Sequence, residues 1–233
     1  MTKREKSPVY NPLAKINLGR SIEAELLNGE ARPLAEMDQT AGAGVYVIYY
    51  TGDFEPYAPI SEANRNGAFT RPIYIGKAIP KGGRKGGLPT EATAAGRALG
   101  DRLKQHASSV DEVTNLDLAD FHVRHLVVDD IWIPLGENML IESFKPVWNQ
   151  AIDGFGNKDP GRRRATQFRS PWDTLHPGRS FAEKLAVSPA APELLLARIA
   201  DHFAGRTLTK LPTKVAEQIE AEHTEAEEAA DEA

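Results

Sequence analysis

Two short segments constrain the fold most, because each combines β-branched and aromatic residues with glycine. They are Gly44–Tyr50 and residues 71–76. Such runs predict buried strands, and side chains alternate between the two faces of a strand. Tyr46 and Tyr74 are therefore expected on one face of two neighbouring strands. The opposite face is expected to hold Val45, Val47, Ile73 and Ile75.

Helices are predicted around these strands. Proline is tolerated in a first helical turn but stops a helix later, so Pro134 and Pro146 predict a helix from Pro134 to Phe144. Residues 51–70 form a polar connection far longer than a hairpin loop. The other predicted elements are a helix capped by Asn17 and ending near Asn28, a basic glycine-rich loop at 77–91, a helix over 92–108, a strand over 121–128 and a helix over 193–203.

The formal net charge of −5 hides an uneven distribution. Residues 213–233 contain one lysine and eight acidic residues, a net of −7. The preceding residues carry a net of +2, with +6 in residues 71–106 and +3 in residues 153–179. The sequence thus predicts a basic body with an acidic tail that is a solvated helix or disordered. Deleting the tail is expected to raise nonspecific affinity for DNA.

Several classes of protein are excluded by missing residues. The chain has no cysteine, so neither disulfides nor thiolate metal sites are expected, and a cytoplasmic location is predicted. No apolar run approaches the roughly 18 residues of a membrane span, and residues 1–15 lack the apolar core of a signal peptide. The glycine-rich loop does not follow the Walker A pattern of a nucleotide-binding site.

Two further kinds of site are excluded by spacing. His122 and His125 lie three residues apart on a predicted strand and so point to opposite faces, which argues against zinc. Glu142 and Lys145 are separated by two residues rather than one. That spacing excludes the Asp, Glu-x-Lys arrangement of the commonest restriction-enzyme fold.

A carboxylate on an apolar helix face is the first candidate for chemistry. Leu140, Ile141 and Phe144 follow Glu137 at i+3, i+4 and i+7, so Glu137 is expected to face inward, where a charge needs a partner. The alternative is an acid favoured by the helix dipole. Glu142 shares a face with polar residues and is expected to be an exposed ion-pair partner.

Arg102 and His106 form the second candidate. They lie at i and i+4 of a predicted helix, so both project from one face and together are expected to reach one phosphate. The alternative is an ordinary solvated helix surface. For Tyr46 and Tyr74 the alternative is two core aromatics.

The ordered set of these residues resembles the GIY-YIG nuclease superfamily. The residues that carry this resemblance are Gly44-Val45-Tyr46, Tyr74-Ile75-Gly76, Arg102, His106, Glu137 and Asn149, with a basic loop and a helix between the second and third strands. The wider pattern is similar to GIY-YIG type II restriction endonucleases of SacII-type specificity, which cut CCGCGG. It includes Asn11-Pro12-Leu13, Asn17-Leu18-Gly19, Asp159-Pro160-Gly161 and His176-Pro177-Gly178-Arg179.

The resemblance implies an α+β fold, with a small antiparallel three-stranded sheet flanked by helices. Residues 1–40 are then an N-terminal arm and helix, and 41–150 the catalytic core with insertions at 51–70 and 77–91. Residues 151–212 are a DNA-contacting helical extension, and 213–233 the acidic tail. The function implied is a site-specific double-strand endonuclease. The alternatives are a UvrC-like repair nuclease and a non-catalytic DNA-binding module.

The resemblance also implies roles in phosphodiester hydrolysis. Glu137 would hold one Mg²⁺ ion, or Mn²⁺ in its place, and Arg102 would brace the phosphate. Tyr46 would take a proton from water, although a free phenol, with a pKa of about 10, is a poor base at neutral pH. His106 would accept the phenol proton, with Lys77 adding positive potential. Tyr74 would orient water or phosphate, and Asn149 would fix the site or the water shell of the metal.

Double-stranded DNA is the implied partner, bound by a homodimer because a palindrome has two-fold symmetry. A cytosine methyltransferase is expected in the same system, though not as a physical partner. Arginines of residues 162–179 would read guanines, and Phe168, Trp172 and His176 lie among them, so this segment is expected to contact the DNA backbone and bases. The alternative is an ordinary charged surface. The predicted DNA-binding residues are Lys77, Lys81, Arg84, Lys85, Arg162, Arg163, Arg164 and Arg169.

Overall fold

An antiparallel sheet lies at the centre of the protein. The computed structural model describes residues 10–79, 96–159, 161 and 166–232, with side chains to residue 224. Its four strands are β1 (Arg32–Pro33), β2 (Gly44–Tyr50), β3 (Tyr74–Ala78) and β4 (Phe121–Val127), in the order β1-β4-β2-β3. The three longer strands confirm the predicted sheet. The edge strand β1 was not predicted, because two residues are too few to show alternation.

Helices pack on both sides of this sheet, which confirms the α+β class. Those of the described residues are α1 (Lys15–Asn28), α2 (Ala58–Asn64), α3 (Ala98–Asp111), α4 (Ile133–Phe144), α5 (Val147–Gln150), α6 (Pro171–Leu175), α7 (Pro192–Phe203) and α8 (Thr213–Glu232). Short 3-10 turns cover Leu34–Gln39, Glu55–Tyr57, Arg65–Gly67, Leu118–Asp120, Asp130–Trp132 and Ala182–Lys184. None of the helices described is long and apolar enough to cross a membrane.

Strand β2 is buried along its whole length, because the sheet separates two apolar cores. Tyr46 and Ile48 belong to the larger core, with residues of α3 and α5. Val45 and Val47 belong to the smaller one, with residues of α1 and α4. The alternation predicted for β2 is confirmed. The prediction for Ile73 was wrong: Ile73 lies just before β3 and packs in the same core as Tyr46.

Several predicted boundaries shift by a few residues. Helix α1 begins at Lys15 rather than after Asn17, whose side chain instead donates to the carbonyl of Asn11. Strand β3 begins at Tyr74 and continues past Gly76 to Ala78. Helix α3 extends to Asp111, beyond the predicted end at residue 108.

The acidic tail is a helix that docks on the body. Val215 of α8 is buried, and Ile219 packs against the larger core. The Gln218 side chain accepts a hydrogen bond from the backbone N–H of Phe168 and donates one to its carbonyl. Of the two alternatives for the tail, the structure shows the helix, and its first turns are packed rather than fully solvated.

The long connection between β2 and β3 is folded around one buried amide. Asn64, at the end of α2, donates to the carbonyls of Tyr50 and Arg71 and accepts from the N–H of Arg71. Its side chain is wholly buried. The amide therefore joins the end of β2 to the segment that leads into β3.

We predict that Asn64→Ala destabilises the protein by about 2–4 kcal/mol, because three hydrogen bonds are lost and buried backbone groups are left unpaired. Urea unfolding followed by circular dichroism measures the change. Glu62→Ala, at an exposed position of the same helix, is the control and should leave the midpoint unchanged. Equal midpoints for the two variants would contradict this role of Asn64.

Candidate active site

Two tyrosines from neighbouring strands form one wall of the site. Tyr46 of β2 and Tyr74 of β3 have ring centroids 6.4 Å apart. Tyr46 lies opposite Gly76 in the β2–β3 register. A Cβ at residue 76 would overlap the Tyr46 phenol oxygen and lie 2.7 Å from Cζ. Only glycine at this position leaves room for the Tyr46 phenol.

Helix α3 brings a histidine to that phenol. Leu99 and Leu103 are buried, and His106 continues their stripe, so its ring turns inward. His106 Nε2 lies 2.7 Å from the Tyr46 hydroxyl. A face of the same imidazole ring stacks on Phe155, with centroids 4.4 Å apart and planes inclined by 17°. The phosphate contact expected of His106 is not seen, because its side chain is buried and its Nε2 contacts the Tyr46 hydroxyl instead.

Arg102 lies one turn before His106 and next to both phenols. Its guanidinium donates to the carbonyl of Gly156 and to the side chain of Gln105, both at 3.2 Å. Its positive charge acts on the hydroxyls of Tyr46 and Tyr74. The Arg102 guanidinium is therefore placed to bind an anion that lies beside the two phenols.

Glu137 reaches the site from α4 and is paired with a lysine. Lys77 follows Gly76 on the edge strand β3, so its side chain projects from the face of the sheet opposite to that of Tyr74. Lys77 Nζ lies 2.7 Å from Glu137 Oε2, and the Glu137 side chain is only 15% exposed. Glu137 is close enough to act electrostatically on both phenols. The inward carboxylate thus has the partner that its burial requires, whereas Glu142 is exposed.

Asn149 binds the backbone of β3. Its Oδ1 accepts from the N–H of Ile75 and its Nδ2 donates to the carbonyl of the same residue, both at 2.9 Å. The amide thereby continues the hydrogen bonding of the sheet at its β3 edge. Of the two roles suggested for Asn149, this contact corresponds to fixing the strand that carries Tyr74 and Lys77.

The comparison with known families decides the assignment. Residues 38–203 match the family described as the Eco29kI GIY-YIG domain. The chain belongs to this restriction endonuclease family. The match covers strands β2 to β4 and helices α2 to α7, and so includes both tyrosines, Arg102, His106, Glu137 and Asn149. No curated protein matches the chain. A restriction endonuclease domain implies DNA as the partner.

Burial controls the protonation of the tyrosine–histidine pair in this GIY-YIG domain. Loss of hydration raises the pKa of Tyr46 well above 10, and the nearby Arg102 only partly offsets it. Burial also holds the pKa of His106 well below 6.5, helped by the charges of Arg102 and Arg179. Both groups are therefore neutral at pH 7, and the imidazole can accept the phenol proton in the tautomer whose Nε2 carries no hydrogen.

The carboxylate chemistry of the site fits a hard cation. Among the described residues, no three histidine, cysteine or carboxylate side chains form a metal-binding group. Glu137 thus offers one carboxylate, of which Lys77 engages one oxygen. Mg²⁺ is commonly bound through one or two carboxylates, with substrate phosphates and water supplying the rest. The donor set suits Mg²⁺ and does not suit zinc.

The predicted DNA-binding residues have different positions. Lys81, Arg84, Lys85, Arg162, Arg163 and Arg164 lie outside the described residues. Lys77 is paired with Glu137 in the site. Arg169 is half-buried and donates to the carbonyls of Ala182 and Glu183. The expectation that Trp172, His176 and Arg179 face DNA was wrong, because all three are buried.

Sequence reasoning missed the loop that supports α3. Phe155 and Gly156 contact His106 and Arg102, yet they belong to no helical or strand period. A weak signal was present in the glycines at 154 and 156, since a Cβ at residue 156 would lie 2.7 Å from Arg102 Nη2. Close approach of backbone to a functional side chain favours glycine.

We predict that DNA cleavage shows no loss of rate on acidification through pH 6.5. The depressed pKa keeps His106 neutral, and thus able to accept the Tyr46 proton, below the pH at which an ordinary histidine becomes charged. Single-turnover plasmid cleavage at a series of pH values measures the rate, and NMR of the imidazole nitrogens measures the titration. A His106 ring that becomes protonated near pH 6.5 would contradict the assignment.

Proposed function

We propose that this protein is a site-specific double-strand DNA endonuclease that hydrolyses phosphodiesters with one divalent metal ion. The observation that carries the proposal is the buried 2.7 Å contact between the Tyr46 hydroxyl and neutral His106, with Arg102 beside it. A phenol that contacts a proton acceptor and lies next to a fixed cation is suited to removing a proton from water close to a phosphate. A fold that only bound DNA would not need this arrangement.

Proton transfer through Tyr46 answers the difficulty of its high pKa. A free phenolate is unfavourable in a buried site, and the pKa of Tyr46 is raised further by that burial. In the proposed step Tyr46 takes a proton from the attacking water while giving its own to His106 Nε2. The two transfers leave the phenol neutral and place one proton on the imidazole.

Three other side chains would act on the phosphate and the water. Arg102 is held by Gly156 and Gln105, so its charge is positioned before substrate arrives, which lowers the cost of stabilising a developing anion. Tyr74 would orient the water or a phosphate oxygen. Lys77, held by Glu137, adds a second positive charge at the edge of β3.

Glu137 would hold the metal ion, which we propose to be Mg²⁺, with Mn²⁺ able to replace it. When bound, such an ion supplies positive charge to the phosphate and to the leaving oxygen. Glu137 is suited to this because α4 presents a single, mostly buried carboxylate close to both phenols. Lys77 holds that carboxylate in one orientation when no cation is present.

A restriction enzyme that cuts a palindrome must act on both strands. We propose a homodimer, because a DNA site with two-fold symmetry is bound most simply by a protein dimer with the same symmetry. The SacII-type resemblance supports CCGCGG as the site, and a cytosine methyltransferase would protect the DNA of the same cell. Arginine contacts to guanine in the major groove suit such a sequence.

We predict that Glu137→Gln strongly slows cleavage while leaving DNA binding nearly intact, because the amide keeps the shape but loses the charge that holds a cation. Removal of a single electrostatic catalytic group costs on the order of 100- to 1,000-fold in rate. Plasmid cleavage with Mg²⁺ or EDTA measures the rate, and a gel shift measures binding.

Glu142→Gln is the matched control, since it makes the same change on the exposed side of the same helix. It should cleave at the wild-type rate. Loss of cleavage in Glu142→Gln alone would overturn the choice of Glu137. Fragments with common ends indicate restriction, nicks confined to damaged DNA indicate a repair enzyme, and binding without cleavage by the wild type would refute the nuclease proposal.

The acidic end of the chain is expected to weaken nonspecific DNA binding. Deletion of 213–233 would also remove the buried Val215, so a cleaner variant removes 225–233 only. That truncation deletes Glu225, Glu227, Glu228, Asp231 and Glu232. We predict tighter binding to nonspecific DNA at low salt, with the difference shrinking as salt rises.

Fluorescence anisotropy at several salt concentrations measures the effect of the truncation. A chain that keeps its length but carries glutamine at the five acidic positions separates charge from length and should bind as the truncation does. Superimposable binding curves for the wild type and both variants would contradict the prediction.

A further inference from the structure

We propose that Arg179, paired with Asp173, is a positioning residue for the active site. It acts through the loop at residues 154–157, which holds His106 and Arg102 in place. The proposal rests on the nuclease function for its effect on rate, but its effect on the geometry of His106 is measurable without cleavage. Neither residue belongs to the ordered set of site residues, and both lie more than twenty positions after Asn149.

Arg179 and Asp173 form a buried bidentate ion pair. Arg179 Nε lies 2.6 Å from Asp173 Oδ1, and Nη2 lies 2.8 Å from Oδ2. Their side chains are 1% and 2% exposed. Asp173 is itself held, because the Ser170 hydroxyl donates to Oδ2 and accepts from the N–H of Asp173 at the start of α6. The carboxylate therefore gives the guanidinium one fixed orientation.

The rest of the guanidinium binds the loop. Nη2 also donates to the carbonyl of Gly154 at 2.9 Å. Nη1 donates to the carbonyls of Phe155 and Asn157 at 3.1 and 3.2 Å. A guanidinium has five N–H groups, and these contacts with Asp173 and the loop use all of them. Arg179 thus binds three of four consecutive carbonyls.

The loop held in this way makes the contacts that position α3. The Phe155 ring stacks on a face of the His106 ring, whose Nε2 edge contacts Tyr46. The carbonyl of Gly156 accepts from Arg102 at 3.2 Å. Gly156 lies between two residues whose carbonyls are bound by Arg179. A shift of this loop would move the proton acceptor and the cation together.

The attraction between the two charges does not by itself account for a buried pair of this kind. Replacing a buried ion pair with apolar residues of similar size is often neutral or stabilising, because both charges lose their hydration. What apolar residues cannot supply is the set of N–H groups aimed at three carbonyls. The geometry points to positioning as the function of the pair.

The test is the double variant Asp173→Leu with Arg179→Met, which removes both charges and keeps the apolar volume. We expect wild-type circular dichroism and DNA affinity, and a single-turnover plasmid cleavage rate lower by on the order of 10- to 100-fold, since small misplacements of catalytic groups cost that much. We also expect the NMR resonances of the His106 ring protons to lose the upfield shift caused by the stacked Phe155.

The matched control is Asp201→Leu with Arg206→Met, which makes the same changes in an Asp–Arg pair at the end of α7. It should keep both the rate and the His106 resonances. Arg179→Lys is the second variant and decides the question if the double variant does not fold. Lysine keeps the charge next to Asp173 but cannot bind three carbonyls at once, so the same loss of rate and the same NMR change are expected.

The proposal is overturned if the NMR resonances of the His106 ring protons are unchanged in the folded double variant or in Arg179→Lys. So does a variant whose cleavage rate equals that of the wild type. If the wild-type protein cuts no DNA, the nuclease proposal fails, while the NMR comparison still decides whether Arg179 positions His106. The two failures are therefore distinguishable.

Discussion

The hydrogen bond between Tyr46 and His106 has to form inside the protein, and much of the surrounding structure makes room for it and encloses it. It joins two polar groups inside an apolar core, where an unpaired hydroxyl or imidazole would be costly. The Tyr46 ring fits because residue 76 has no side chain. The ring of His106 is enclosed in part because Phe155 stacks on one of its faces. Each polar group thus satisfies the other, and the same burial keeps both neutral.

The sequence was sufficient for the parts of the site that lie on regular elements. Alternation placed Tyr46 on one face of β2 and Val45 on the other, and the helical period turned Glu137 inward. Both periods are properties of one element, so neighbouring residues reveal them. The placement of β3 opposite β2 also followed from the two runs of β-branched and aromatic residues.

The rest could not be predicted because it depends on contacts between distant segments without a period. Helical spacing showed that Arg102 and His106 share a face, but not that the loop after α5 buries one of them. Arg179 was visible as a charge in a basic stretch, and charge alone favoured DNA contact. Its burial depends on Asp173 and on three backbone carbonyls, which no pattern in the sequence marks.

The dependence of the site on residues 173 and 179 also affects when a newly made chain becomes active. Synthesis proceeds from the N-terminus, so a ribosome finishes every side chain from Tyr46 to Asn149 before it reaches α6. Under the proposed positioning role, a nascent or prematurely terminated chain that lacks α6 would carry the catalytic residues without the support for their geometry. Translation itself would then delay nuclease activity until most of the protein exists, which limits damage to the DNA of the cell that makes it.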